Sequence, residues 1–226
     1  MTDWTSIKEN DTFYDKQYWE WQSNGVELGG IIQAQVLFQP YINDTAKVLD
    51  FGCGSGTTLK NLICNEKIGY EINPYAVKFN KEQNKIDTFS NFKDIPDDYF
   101  DVIISNHALE HTPTPYEDLL ILKNKLKVGG KIVIYVPSME DELGKLKKQN
   151  NKYDHHDRDN HLFGWNFQLL SNLLIKCKFK IIDCRTVPYS RTSNTDTAFR
   201  KGGKELFIRV ATQENVHPQT FVYAEK

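Results

Sequence analysis

The run Val48-Leu49-Asp50-Phe51-Gly52-Cys53-Gly54-Ser55-Gly56-Thr57-Thr58-Leu59 constrains this chain more than any other stretch. An apolar strand leads in, three glycines at alternate positions form a turn, and the first turn of a helix leads out. Glycine at such positions supplies a backbone with positive φ, or a main chain bare enough for a ligand to touch. A strand that feeds a glycine turn and a helix N-terminus makes a crevice at the carboxyl edge of an α/β sheet. Asp50 stands at the strand tip, just before the glycines. A carboxylate there would repel a phosphate, and it suits a ligand that carries positive charge.

Strand and helix patterns alternate on both sides of this run. Strands are expected at 47–51, 67–71, 86–89, 101–105 and 131–135, and helices at 57–65, 74–82 and 116–126. Pro74 suits a first helical turn, with Asn73 as its cap. The strands are short and apolar throughout, as in a parallel sheet covered on both faces. Upstream, Ile32, Val36, Leu37 and Tyr41 mark a helix over 31–41, and Gly25 with the Gly29-Gly30 pair breaks the segment before it. Residues 1–24 combine polar groups with Trp4, Phe13, Tyr14, Tyr18, Trp19 and Trp21. Phe13, Tyr14 and Tyr18 are spaced for one helix face. After Pro137 the rhythm stops. Residues 138–165 read as a long charged loop, followed by a helix at 166–175 and strands at 178–184 and 205–212, with a polar insert at 185–203 between them. Long loops with their own composition inside a compact domain tend to be functional, so these two are the candidates for acceptor recognition.

A chain of 226 residues reads most simply as one domain, 1–226, large enough for a full core. Its net charge of −2 provides no basic field for nucleic acid. No apolar run approaches the ~20 residues of a membrane helix, and the N-terminus is too polar for a signal peptide. Cys53, Cys64, Cys177 and Cys184 form no C-x-x-C pair. Reduced thiols in a cytoplasmic protein are the expectation.

Four stretches then fall in a familiar order. They are Asp50-Phe51-Gly52-Cys53-Gly54-Ser55-Gly56, Ile68-Gly69-Tyr70-Glu71-Ile72, Phe100-Asp101-Val102-Ile103-Ile104-Ser105-Asn106 and Leu126-Lys127-Val128-Gly129-Gly130-Lys131-Ile132-Val133-Ile134. Together they resemble the motifs of class I S-adenosylmethionine (SAM) methyltransferases of the small-molecule type. The resemblance implies a Rossmann-like α/β fold: a seven-stranded, mostly parallel sheet, helices on both faces and a C-terminal antiparallel hairpin. It implies SAM as cofactor, with Asp50, Gly52, Cys53, Gly54 and Gly56 around its methionine part and Asn106 at the tip of the fourth strand. Glu71 would hold the ribose hydroxyls, as the acid of dinucleotide folds does. Ile72, Asn91 and Phe92 would lie along the adenine. Residues 1–45 become a helical lid, 46–137 the SAM-binding half and 138–226 the acceptor-side half.

His107-Ala108-Leu109-Glu110-His111 follows the fourth strand directly. Its Leu-Glu-His run resembles one in which Glu and His stabilise the loop. Two sharper readings stand beside that. His107 can be a general base, since a neutral imidazole can take a hydroxyl proton near pH 7. Alternatively His107, Glu110, His111 and a later histidine hold a divalent metal, because positions i, i+3 and i+4 share a helical face. The second pattern resembles the E-x-x-E-H set of ubiquinone-pathway and small-RNA O-methyltransferases, with His107 in place of the first acid. That replacement turns the preference toward imidazole-loving metals and makes the metal the less favoured reading. His155, His156 and His161 are three of the six histidines. The run 160–166 resembles the turn before a later helix in this superfamily, which makes His161 the one to face the crevice, as a second catalytic residue. Arg185, Tyr189, Arg191 and Arg200 are surface residues or contacts for an anionic acceptor. The histidines point first to O-methylation of a small polar or sugar-like molecule. RNA 2′-O-methylation, N-methylation of a small molecule and SAM binding without catalysis remain as alternatives.

Overall fold

The computed structural model describes residues 14–148, 160–188, 192–214 and 218–226. Its sheet has seven strands: β1 (Lys47–Phe51), β2 (Glu66–Tyr70), β3 (Asp87–Phe89), β4 (Phe100–Asn106), β5 (Leu126–Pro137), β6 (Lys180–Pro188) and β7 (Pro218–Glu225). Their order is β3-β2-β1-β4-β5-β7-β6. The first five pair in parallel, and β7 runs antiparallel between β5 and β6. The chain leaves β1 toward β2 on one side and returns to β4 on the other. This reversal opens a crevice at the carboxyl ends of β1 and β4.

Period-two packing explains the unbroken apolar runs. Leu49, Ile103, Ile132 and Ile134 face one core, with Leu119, Leu122, Leu170 and Leu174. Val48, Val102, Ile104 and Val133 face the other, with Ile32, Phe38, Leu59 and Phe207. Successive residues of a strand point to opposite faces, so a sheet covered on both must be apolar at every position. The first core is closed by α5 (Pro115–Lys125) and α7 (Phe167–Lys176), and the second by α2 (Glu27–Ile32), α3 (Thr57–Lys60) and α8 (Ser193–Glu214). The helix α4 (Pro74–Phe79) starts where its Pro predicts, and Asn73 Oδ1 accepts from the Tyr75 amide at 3.0 Å. Asn166 caps α7 in the same way.

Several expectations are corrected. Residues 205–212 are helical, not a strand: they lie in α8, where Phe207 and Ala211, four apart, are buried and Ile208 is exposed. The β-branched and aromatic residues there pack as a helix face, since tertiary context overrides intrinsic preference. The last strand is β7, nearer the C-terminus. Part of the charged stretch 138–165 is a helix, α6 (Met139–Lys148). Its acids fall in the first turn and Lys145, Lys147 and Lys148 in the last, which opposes the helix dipole with favourable charge at each end. The helix expected at 57–65 spans only α3. Gly29 and Gly30 break nothing; both are buried inside α2. At the N-terminus, α1 (Lys16–Gln22) is capped by Asp15, and Tyr14 meets Tyr18 edge to face at 5.1 Å. Trp4, Phe13, His155, His156, Tyr189 and Arg191 lie outside the described residues. All four cysteine thiols are free. Among the described residues no helix is long and apolar enough to cross a membrane.

Candidate active site

Gly52, Gly54 and Gly56 all take positive φ, at 76°, 51° and 69°. Two of them also sit too close to neighbours for a side chain. A Cβ at Gly52 would lie 2.4 Å from Ala108 Cβ, and one at Gly56 would lie 2.4 Å from Asn80 Oδ1. At Gly54 the space is open, with only the Gln22 amide near, at 3.7 Å. The turn is held from β2 and from the helical turn Asn80–Asn84 that follows α4. The amides of Gly52 and Cys53 donate to the Tyr70 carbonyl, and Asn80 and Asn84 donate to the carbonyls of Gly54 and Ser55. Glu71 is buried, and its two carboxylate oxygens accept from the amides of Gly54 and Asn73, both at 2.8 Å. Burial raises its pKa, and those hydrogen bonds pull partly against the rise.

This turn floors a cleft of about 430 Å³. Asp50, Gly52, Cys53, Gly54, Asn106 and His107 line it, and so do Gln22 from α1, Gly30 and Gln33 from the next helical segment, and Gln219 from β7. Burial, with the charge of Glu71 beside it, pushes the Asp50 carboxyl up to about 8. Asn106 Oδ1 is buried and accepts no hydrogen bond among the described residues.

His107 closes the far wall. Its φ of 52° is a conformation non-glycine residues seldom adopt. Its amide donates to Tyr135, and the Gln219 amide nitrogen meets the ring at Nε2, 2.6 Å away. The other ring nitrogen, Nδ1, faces Glu110 Oε1 at 3.6 Å. Burial, then the charges of His161, His111 and Lys145, push the His107 pKa down to about 4. Behind it, Glu110 is fully buried in the tight turn Leu109–His111, and burial pushes its carboxyl up to about 8. His111 and His161 stand beside it, with ring centroids 4.8 Å apart. His161 does not line the cleft; its Nδ1 lies 3.0 Å from Glu142 Oε1. Burial works against charge on His161, but Glu142 and Glu110 hold its pKa above the usual value.

The pattern of a methyltransferase domain matches residues 20–179. The chain belongs to the methyltransferase domain family. Solved structures that share its fold include SAM-dependent methyltransferases. Its fold is similar to a SAM-dependent methyltransferase of Archaeoglobus fulgidus, at a TM-score of 0.59 and 23% identity over 88% of this chain and 94% of that one. It is also similar to a Haloferax volcanii protein solved in complex with the Trm112 methyltransferase activator, at a TM-score of 0.63 and 15% identity over 95% of both chains. A tRNA U34 carboxymethyltransferase of Hydrogenovibrio crunogenus is 27% identical over 160 residues, 61% of this chain and 46% of that protein. The chain spans about half the length of the curated relatives it matches.

The residues of this methyltransferase domain fit a cationic cofactor. Asp50 offers a carboxylate, Asn106 a buried oxygen without a donor, and Gly54 a bare backbone. The residues assigned to the adenine end stand apart from the cleft. Ile72 is exposed, Asn91 caps the turn Phe92–Asp94 through the Lys93 amide, and Phe92 stacks on Tyr70 with centroids 3.9 Å apart. Sequence reasoning missed Gln22, Gln33 and Gln219. A glutamine has no spacing rule, and Gln219 enters only because β7 returns between β5 and β6. Arg185 lies over the Phe221 ring at 5.0 Å, away from the cleft.

Proposed function

We propose that this domain methylates an oxygen of a small polar or sugar-like acceptor. The observation that carries the reading is the layout of the cleft, with Asp50 and the glycine turn at one end and the His107–Gln219 pair at the other. SAM, when bound, supplies a methyl group already activated on a positively charged sulfonium. Asp50 and Asn106 would hold its cationic groups, the turn from Gly52 to Gly56 with Cys53 would lie along its methionine part, and Glu71 would face the ribose while it braces the Gly54 amide. Ile72, Asn91 and Phe92 would cover the adenine after a local adjustment. Positioning does much of the work, since well-oriented reactants gain on the order of 7–11 kcal/mol. His107 offers the Nε2 lone pair; an acceptor hydroxyl takes the place of the Gln219 amide on it and passes its proton to the ring.

His107→Ala tests this. Turnover should fall about 10²–10⁴-fold while SAM affinity, read by calorimetry, stays near normal. The acceptor pool is found by incubating metabolite and nucleotide-sugar extracts with SAM and looking for a gain of one methyl by mass spectrometry. A folded, SAM-binding protein that methylates nothing would leave a binding module, and near-normal turnover in His107→Ala would remove the base. A second reading has one finding behind it, the tRNA-modifying relative. A net charge of −2 speaks against an RNA acceptor. Methylation of bulk tRNA, with retention on a polyanion column that moderate salt abolishes, would favour it instead.

A further inference from the structure

The sheet ends on a strand whose outer edge is open among the described residues. β6 is last in the strand order and pairs only with β7. None of its nine residues is buried, whereas most of β7 beside it is. Both faces of β6 nevertheless pack on the protein. Ile181 and Cys184 lie against the first core, and Val187 lies against the second. Its exposure therefore comes from the outer edge, where a row of backbone N–H and C=O groups is a template for another strand. Pro188 and a register shift between Ile181 and Asp183 restrict that template to a short stretch. Edge strands also discourage pairing with their own copies by placing charge along the edge. The charges at the middle of β6 do the opposite.

Asp183 and Arg185 stand two residues apart on one face of the strand. Their charges reach the hydroxyls of Tyr41 and Tyr135, and the Arg185 guanidinium lies over the Phe221 ring. The guanidinium also donates to the Asp183 carboxylate along the strand. Cys184, between them, faces the first core on the other side. Consider two copies of β6 paired antiparallel about a two-fold axis perpendicular to the sheet. Residues directly opposite each other share a face, so the axis must run through one residue and its copy. An axis at Asp183 sets acid against acid, and an axis at Arg185 sets cation against cation. An axis at Cys184 sets Asp183 of each copy opposite Arg185 of the other. Opposite charges in that position attract, and like charges there destabilise the pair. The two contacts along the strands and the two across them close a ring of four alternating charges. Ile182, exposed in the single chain, then lies opposite Thr186 of the other copy.

We propose that β6 is a self-association surface: two copies of this chain join edge to edge, with the two-fold axis at Cys184 and the Asp183–Arg185 pairs of both copies interlocked. The surface is its own complement, as a two-fold interface requires, and backbone hydrogen bonds between the edges supply the adhesion while the charges fix the register. The two sheets become one continuous sheet. A strand pair alone buries less than a standard interface. The helix α7, which packs against β6, leaves Leu169 and Ile175 exposed, and this apolar surface can widen the contact. No residue of β6 lines the cleft, so the assembly leaves the methyl-transfer site open.

Sedimentation equilibrium of the full chain reads the assembly directly. At tens of micromolar the mass should approach twice the 26.2 kDa of one chain. Arg185→Asp turns the ring into four acids, and the dissociation constant of the dimer should rise by more than ~100-fold, because like charges set face to face across an interface repel. Asp183→Arg turns it into four cations and should do the same. Asp183→Arg combined with Arg185→Asp exchanges the two charges and keeps the complementarity, so this double variant should regain the dimer. Its recovery also shows that neither single variant lost the dimer by unfolding. A parent chain that sediments as a monomer at that concentration, a dimer that survives Arg185→Asp unchanged, or a double variant that stays monomeric would each overturn the interface. None of these readouts involves an acceptor or SAM, so the interface and the methyl-transfer reading stand or fall separately.

Discussion

Asp50 concentrates the physical tension of the site in one side chain. It is 4% exposed, beside a second buried acid, and burial raises its carboxyl to about 8. The folded pKa lies above the unfolded one. Its proton therefore stabilises the fold fully below the ordinary carboxylate range, and that stability is lost as pH rises toward about 8. Asp50→Asn keeps the shape without the charge. Urea unfolding without SAM should show the parent losing stability relative to this variant between about pH 4 and 8, by at most ~1.4 kcal/mol per pH unit. A parallel pair of curves would show that Asp50 is not the titrating group. The same variant should bind SAM more weakly by roughly 1.5–3 kcal/mol, since a charge-assisted contact is gone. Asp50 and the glycines could be read from the sequence because their chemistry is local, a strand tip and a run of positive φ. Glu71 could be placed but not fully interpreted. Nothing in its neighbours along the chain says that both its oxygens are engaged by backbone amides.

Among the elements, α2 and α3 meet where the chain can least tolerate bulk. A Cβ at Gly30 would lie 2.4 Å from Thr57 Cβ and 2.7 Å from the Thr57 backbone. Gly30→Ala should destabilise by about 1–3 kcal/mol through overpacking, against a gain of roughly 0.5–1 kcal/mol from better helix propensity. Both residues line the cleft, so SAM affinity should fall with it. Gly25, with φ of 68° and nothing within 4 Å of a Cβ, is the control: alanine there strains the backbone without touching a neighbour. If Gly30→Ala unfolds at the parent's urea midpoint, the close packing of α2 on α3 is wrong. This glycine pair reads as a break in sequence because a helical glycine and a loop glycine look alike until the opposing helix is known. The same blindness affects 205–212, where Phe, Ile and Val suit a strand or a helix face equally. Only the burial of Phe207 and Ala211 against the second core decides between them.

Across the whole molecule, the cleft is assembled from both ends of the chain. Gln22 arrives on α1 and Gln219 on β7, the latter 112 residues from the histidine it touches. The Trp19 ring packs on Phe79 of α4 with centroids 5.3 Å apart, which holds α1 over the glycine turn. We propose that α1 acts as the lid. Trp19→Ala should then speed SAM dissociation in stopped-flow measurements while the melting temperature moves little, because the ring is only half-buried. An unchanged dissociation rate would remove the lid. The sheet of parallel strands, the glycine turn with Asp50 before it, and the family follow from sequence alone, because strand period, positive φ and charge at a strand tip are written in consecutive residues. The end of the sheet and the side chains that share the far wall of the cleft do not follow from it. They come from segments distant in sequence, and what they touch is decided by which faces remain to be covered once β1 to β5 have paired. That is why His107 and Glu110 could be proposed as site residues from their neighbours, while Gln219 and Glu142 appear beside their histidines only when the chain is folded.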